Sequence, residues 1–413
     1  MSEITATRMR SPALWRAATL VALAAGWAVA AWLLWSSSLV PGDLHLPKLD
    51  PHDFFSAHEL TRTHHYERFL RVDTLLSLLA LLAALGVWAR KGVGFVRESA
   101  AGPIGTGILL AMLAFAIVWL AQLPFGLAEL WWDRRWHVAH QGYFSWLLEN
   151  WLGLGSGFVF VAVTIVIVMG LARLLGRRWW IVGAPVFVGI GILFAFLQPF
   201  LLVDGTRRVR EPWLRARIAQ LERIEHVEGI RVRVLEVHNE TTEVNAFATG
   251  LDSSRSVYVY DTFLDDRFTH REVAVVVAHE FGHLERDHIW KGLAWYALFA
   301  IPGAYLVTRA VRRRGGLTRP ESIPLALFVL TALQLAAMPV QSLITRHIEA
   351  EADWMALNAT RDPQAAQSVF AKFTPIDLAE PRPPTWDYLI FEDHPTVIQR
   401  IAMARAWAAQ NGR

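Results

Sequence analysis

Seven apolar stretches set the first limit on how this chain can fold. They cover residues 17–35, about 74–89, 104–123, 151–172, 179–203, 292–308 and 322–345. A bilayer core about 30 Å thick takes roughly 20 helical residues. The second and sixth stretches are short at their uncharged centres. Arg71, Arg90, Lys91 and Arg309 stand at their ends, where long cationic side chains reach the headgroups. Arg8, Arg10 and Arg16 precede the first stretch as they would in a signal peptide. That stretch is long for a secretory apolar region and lacks an obvious small-residue cleavage site, so it reads as a retained span. Composition agrees. With 54% hydrophobic residues, 19 tryptophans among 413 residues and a mean hydropathy of +0.30, the chain is more apolar than a soluble domain, and the surplus faces lipid. The expected fold is mainly α, a bundle of seven transmembrane helices.

Cysteine is absent, which removes disulfides, thiolate nucleophiles and cysteine-based metal sites. The net charge of +3 comes from arginines scattered through loops, without a dense basic block. Such charge flanks membrane spans and meets lipid; no nucleic-acid partner is expected.

Between the fifth and sixth stretches the composition changes. Residues 204–291 are water-facing, and begin with a polar helix over 211–225, Pro212 near its start. Alternating apolar and charged residues over 230–237 predict a strand. Residues 245–250 and 256–260 predict two more, separated by turn-forming residues 250–254. A helix over 271–287 follows. After the last span a helix continues over 346–357, then come a Pro-rich loop at 374–384 and a final helix at 395–409. The expected organisation is residues 1–203 as spans one to five with their loops, and 204–291 as the first half of an α+β domain. Residues 292–345 hold spans six and seven, and 346–413 the second half. The soluble domain is thus split by two inserted spans.

Chemistry concentrates in His279-Glu280-Phe281-Gly282-His283, an H-E-x-x-H pattern behind the apolar run 273–278. Two histidines four apart lie on one helical face and bind one zinc ion together, leaving positions for a third ligand and a water. Glu280 is placed to serve that water as general base. The third ligand must come from elsewhere, and Glu349, on the helix leaving the last span, is the best candidate. Asp353 is four residues on, on the same face, where it can hydrogen-bond a liganding imidazole. Taken alone, Glu349, Glu351 and Asp353 would read as a solvated helical face; beside the His279 motif, the ligand reading is preferred.

These motifs resemble those of the type I CAAX prenyl endopeptidase family, integral-membrane zinc metalloproteases of the gluzincin type. The likeness extends over most of the chain. Residues 279–283 are similar to the family's zinc helix, and 345–353, Thr-Arg-His-Ile-Glu-Ala-Glu-Ala-Asp, to its Ser-Arg-x-x-Glu-x-x-Ala-Asp segment. Asn245, Ala246 and Phe247 resemble its Asn-Ala-aromatic segment, and His394-Pro395 with Arg400 its C-terminal motif. The resemblance implies seven helices around a water-filled chamber capped by the protease domain, one zinc ion per chain, and a polypeptide substrate, possibly lipidated, bound as an added strand. It further implies that Asn245 positions the substrate backbone, that His394 stabilises the oxyanion, and that Arg400 holds either His394 or the substrate.

Other histidines admit a different function. His64, His65, His137 and His140 could build a two-iron site of a membrane oxidoreductase, although such sites need more ligands. His45, His52 and His58 share the first of these loops, and a polar interfacial loop is the preferred reading. His288, five residues past His283, should sit off the ligand face and bond backbone at the helix end. Trp131, Trp132, Trp136, Trp146 and Trp151 suggest an interfacial aromatic belt. A third class, an idle scaffold, is disfavoured by Glu280, since metal binding alone needs no base there. Membrane orientation is drawn two ways. Arg8, Arg10, Arg90, Lys91, Arg97, Arg173, Arg177, Arg178 and Arg312 to Arg314 would put the side opposite the zinc domain in the cytoplasm. Arg207, Arg208, Arg210, Arg215 and Arg217, with the family resemblance, would put the zinc domain there.

Overall fold

The computed structural model describes residues 12–95, 101–203 and 205–412. Arg8, Arg10 and Arg97, invoked for orientation, and Asp204 and Arg413 lie outside the described residues. Each apolar stretch falls on a helix, and most helices run well past the stretch that predicts them. Before the sheet come α1 (Pro12–Trp35), α2 (Ala57–Lys91), α3 (Gly102–Arg135), α4 (Tyr143–Leu175) and α5 (Trp179–Leu201). Among the described residues, five segments are long and apolar enough to cross a bilayer: Ala57–Gly94, Gly102–Arg135, Tyr143–Leu201, His288–Arg314 and Pro320–Thr360. Tyr143–Leu201 joins α4 and α5, because the break at Gly176–Arg178 is a single 3-10 turn instead of a loop. Large side chains such as Leu174, Val159 and Phe160 stand exposed on these helices, as lipid-facing residues do.

Among the described residues, the rest of the chain contributes a four-stranded mixed sheet and seven further helices. Strand β1 (Thr206–Arg208), α6 (Pro212–Ile224), β2 (Arg231–Leu235), β3 (Ala246–Thr249), β4 (Ser256–Tyr260) and α7 (His270–Glu285) lead into α8 (His288–Val311). Helix α9 (Ile323–Thr360) runs from the apolar region into the polar one without a break, and α10 (Pro363–Asp377), α11 (Thr385–Ile390) and α12 (Val397–Gln410) complete the chain. The strand order is β1-β2-β4-β3. Strands β2 and β4 are parallel, whereas β3 runs antiparallel to β4 and is an outer strand. Strand β1, α10 and α11 were not anticipated. Residues 374–377, expected to open a Pro-rich loop, form the last turn of α10 despite Pro375. Burial of Ala365, Ala366, Val369 and Phe370 in the main core outweighs the lost backbone hydrogen bond.

That core joins α6, β4, α7, α9, α10 and α12. Helix α7 is buried almost throughout. Val273, Val275, Val276 and Val277 are each in the core, and burying one valine contributes about 1.5–3 kcal/mol. Its N-terminus is fixed by a capping box between Thr269 and Glu272. Glu272 also accepts from Lys372 Nζ at 2.7 Å and from the Ser368 hydroxyl, both on α10. Helix α9 crosses α7 so closely at Gly282 that an added Cβ would lie 2.9 Å from the Met355 Cβ.

Candidate metal and catalytic site

Helices α7 and α9 bring the three expected ligands together. His279 Nε2 lies 3.1 Å from His283 Nε2 and 3.1 Å from Glu349 Oε2, and His283 Nε2 lies 3.5 Å from Glu349 Oε1. Four ligands at about 2.0–2.1 Å around a tetrahedral zinc ion are separated by roughly 3.3 Å. The donor set therefore fits such an ion in both chemistry and size. Among the described residues it is the one group of three or more metal-capable side chains. His64, His65, His137 and His140 form no such group, so the two-iron reading loses its geometric basis. His64 instead pairs with Glu380 at 3.0 Å.

Both imidazoles turn their second nitrogen away from the cluster. His279 Nδ1 meets Asp353 Oδ1 at 2.9 Å, as the spacing from Glu349 to Asp353 predicts. Asp353 is fully buried and in turn accepts from Arg400, Nε to Oδ2 at 2.9 Å and an Nη to Oδ1 at 2.6 Å. Arg400 thus grips Asp353, neither of the partners considered for it from sequence, and acts on the site through His279. Its guanidinium also stacks over Phe370 at 4.0 Å. Burial alone would pull the His279 imidazole down, yet the Asp353 and Glu349 carboxylates outweigh it and raise the group to about 9.

His288 is the misjudged residue. It does not bond backbone at the helix end: its Nδ1 lies 2.9 Å from His283 Nδ1, and its Nε2 lies 3.0 Å from Glu351 Oε2. A continued helix would have carried it off this face. Asp287, with φ of 52°, adopts the left-handed conformation between α7 and α8 and redirects the chain. Glu351 gathers several elements, also accepting from Arg286 Nε at 2.8 Å, Lys291 Nζ at 3.0 Å and the Leu39 amide at 3.1 Å.

Glu280 is buried beside His279, 6% exposed, and makes no hydrogen bond or ion pair with another described residue, which leaves its carboxylate free for substrate or water. His394 meets the same Glu349 oxygen as His279 does, with Nε2 3.2 Å from Glu349 Oε2 and Nδ1 2.7 Å from Asp393 Oδ1. Its ring is half exposed. Burial works against its charge, but the Asp393 and Glu349 carboxylates raise it to about 10. One face of α9 holds the segment that carries it. Ser342 Oγ donates to Ile390 O at 2.8 Å, Arg346 donates to Tyr388 O and Glu392 O, and Glu349 meets His394 itself.

The expected substrate segment forms the outer strand beside α7. Asn245 O accepts the Tyr260 amide at 2.9 Å, and its side chain is exposed. Ala246 pairs with Val259 and Phe247 with Tyr258, whose ring stacks on Phe247 at 5.1 Å. Asp377 Oδ1 accepts the Val244 amide at 3.1 Å and pins the approach to the strand. Trp132 stacks on Phe69 of α2 at 4.3 Å and packs against Trp131 and Trp136.

Comparison with known proteins completes the assignment. The model of peptidase family M48 matches residues 209–408. This part of the chain is similar to the M48 peptidases. An uncharacterized metalloprotease, YhfN, of Bacillus subtilis (strain 168) is 22% identical over 90% of this chain and 92% of its own. A CAAX prenyl protease 1 homolog of Oryza sativa subsp. japonica is 23% identical over 80% of this chain and 81% of its own. Ste24p of S. mikatae shares the fold, with a TM-score of 0.71 at 17% identity over 92% of this chain and 96% of that one. The match to peptidase family M48 and the metalloprotease relatives, together with apolar helices long enough to cross a bilayer, indicate an integral-membrane metalloprotease.

Proposed function

We propose that the metal is zinc, one ion per chain, held by His279, His283 and Glu349, and that the enzyme is an endopeptidase acting on lipidated, CAAX-type, or other membrane-associated polypeptides. The convergence of His279 Nε2, His283 Nε2 and Glu349 to separations of 3.1–3.5 Å carries the reading. Bound there, zinc would supply Lewis acidity toward a carbonyl oxygen and a water molecule. Glu280 takes a proton from the attacking water as its oxygen bonds to the scissile carbon. His394 donates a hydrogen bond to the carbonyl oxygen as that atom gains the electron pair. When the C–N bond breaks, the proton held by Glu280 passes to the leaving amine. Asn245, Ala246 and Phe247 hold the substrate as an added strand on the free edge of β3.

The seven apolar helices, α1 to α5 with α8 and α9, are read as seven spans around a chamber. The protease domain is read as two halves, 204–291 and 346–413, split by residues 292–345 and facing the cytoplasm. The fold shared with Ste24p of S. mikatae supports the helical arrangement.

The test is cleavage in detergent by zinc-loaded wild type and Glu280→Gln, offered farnesylated and plain peptides and read by mass spectrometry. Removing the base should lower the rate by about 10²–10⁴-fold while zinc remains bound. Equal cleavage by both forms would refute the role of Glu280. Cuts confined to farnesylated peptides would narrow the substrate class.

A further inference from the structure

We propose that His288 is a positioning residue for the metal site, one that fixes the orientation and tautomer of His283 as Asp353 does for His279; the inference rests on the metal-site reading above. Its two ring contacts define what it does. With the His283 Nε2 lone pair turned into the cluster, the His283 proton resides on Nδ1. That nitrogen is 2.9 Å from His288 Nδ1, which must therefore present a lone pair. The His288 proton is then on Nε2, 3.0 Å from the Glu351 carboxylate. A neutral imidazole with this one tautomer satisfies both contacts, so the chain Glu351–His288–His283 sets the direction of every proton along it.

Burial gives this chain its strength. His288 is 4% exposed and Glu351 1% exposed, so neither partner is replaced by bulk water. The two ligand histidines are thereby oriented by different chemistry. His279 leans on a carboxylate–guanidinium pair within the domain, Asp353 with Arg400. His283 leans on an imidazole from the first residue of α8. Behind that imidazole, Glu351 is held by Arg286, Lys291 and the Leu39 amide. Arg286 also donates to Ser37 O at 2.8 Å, which ties the segment after α1 into the same network.

Paired substitutions separate positioning from packing. An asparagine amide reaches where the Nδ1 edge of histidine lies, whereas a glutamine amide reaches the Nε2 edge. His288→Asn therefore keeps an acceptor for His283 and loses Glu351; His288→Gln does the reverse. The readouts are zinc affinity by chelator competition and the ligand-field spectrum of the cobalt(II) form, on folded protein in detergent with thermal unfolding measured alongside. We expect His288→Gln to bind zinc about 10- to 100-fold more weakly, the usual cost of losing such a partner, with an altered cobalt spectrum. His288→Asn should stay within about threefold of wild type on the same scale. The inference is overturned if Gln retains wild-type affinity and spectrum while Asn does not, or if both match wild type. Wild type that binds neither zinc nor cobalt would instead overturn the metal-site reading itself, and this inference with it.

Discussion

At the scale of single residues, protons and metal compete for the same lone pairs. The His279 imidazole is raised from 6.5 to about 9 against burial by Asp353 and Glu349. Its Nε2 proton, directed at Glu349, must leave before that nitrogen can bind a metal. Zinc affinity should therefore rise by about tenfold per pH unit between about pH 6 and 9 for this one displaced proton. Chelator competition at several pH values checks the slope, and a flat profile would show that His279 is already neutral. The sign for stability is opposite. In chelator-stripped protein a raised pKa favours folding fully below pH 6.5, and that contribution is lost as pH rises through about 9. Residues on one helix were legible here. His279 and His283, and likewise Glu349 and Asp353, share helical faces because four residues make about one turn. The partner of Arg400 was not legible, since α12 meets α9 only in the packed fold. His288 was misjudged because helical geometry was carried past Asp287, whose left-handed backbone no periodicity announces.

At the scale of elements, the site depends on how closely α7 and α9 approach. Gly282 permits that approach, and a side chain there would push against Met355. Gly282→Val should cost about 1–3 kcal/mol through overpacking and move Glu349 away from the two imidazoles. Lower thermal stability in detergent together with weaker zinc binding is the expected pair of results. A loss of stability alone would mean that α9 yields without shifting its ligand. Strand β4 and helix α6 were readable almost to the residue, because turn-forming residues precede the strand and Pro212 marks the start of the helix. Helix α10 was missed although Asp362 caps it and Pro363 occupies its first turn; the prolines beyond it drew attention to a loop. Strand β1 has only three residues, too few to show a period.

At the scale of the whole molecule, the apolar stretches were legible as helices, but not where those helices end. A span is selected by hydropathy and a helix by backbone hydrogen bonding, and α9 satisfies the second for 38 residues, well beyond the first. Which face meets the cytoplasm can be read directly, since the chain has no cysteine and a single introduced thiol is unambiguous. With the protease domain inside, Arg177→Cys should react with an impermeant maleimide on intact cells, and Asp266→Cys only after permeabilisation. The reverse pattern would place the domain outside. The free edge of β3 carries a last consequence. Four residues, Ala246–Thr249, offer a strip of about 13 Å that accepts only extended chain. A polypeptide still coiled into helix or paired in its own sheet has no free backbone to give it. Under the proposed binding mode the edge acts as a gauge of foldedness: what it admits is decided less by which side chains a protein bears than by how readily a short piece of it comes undone.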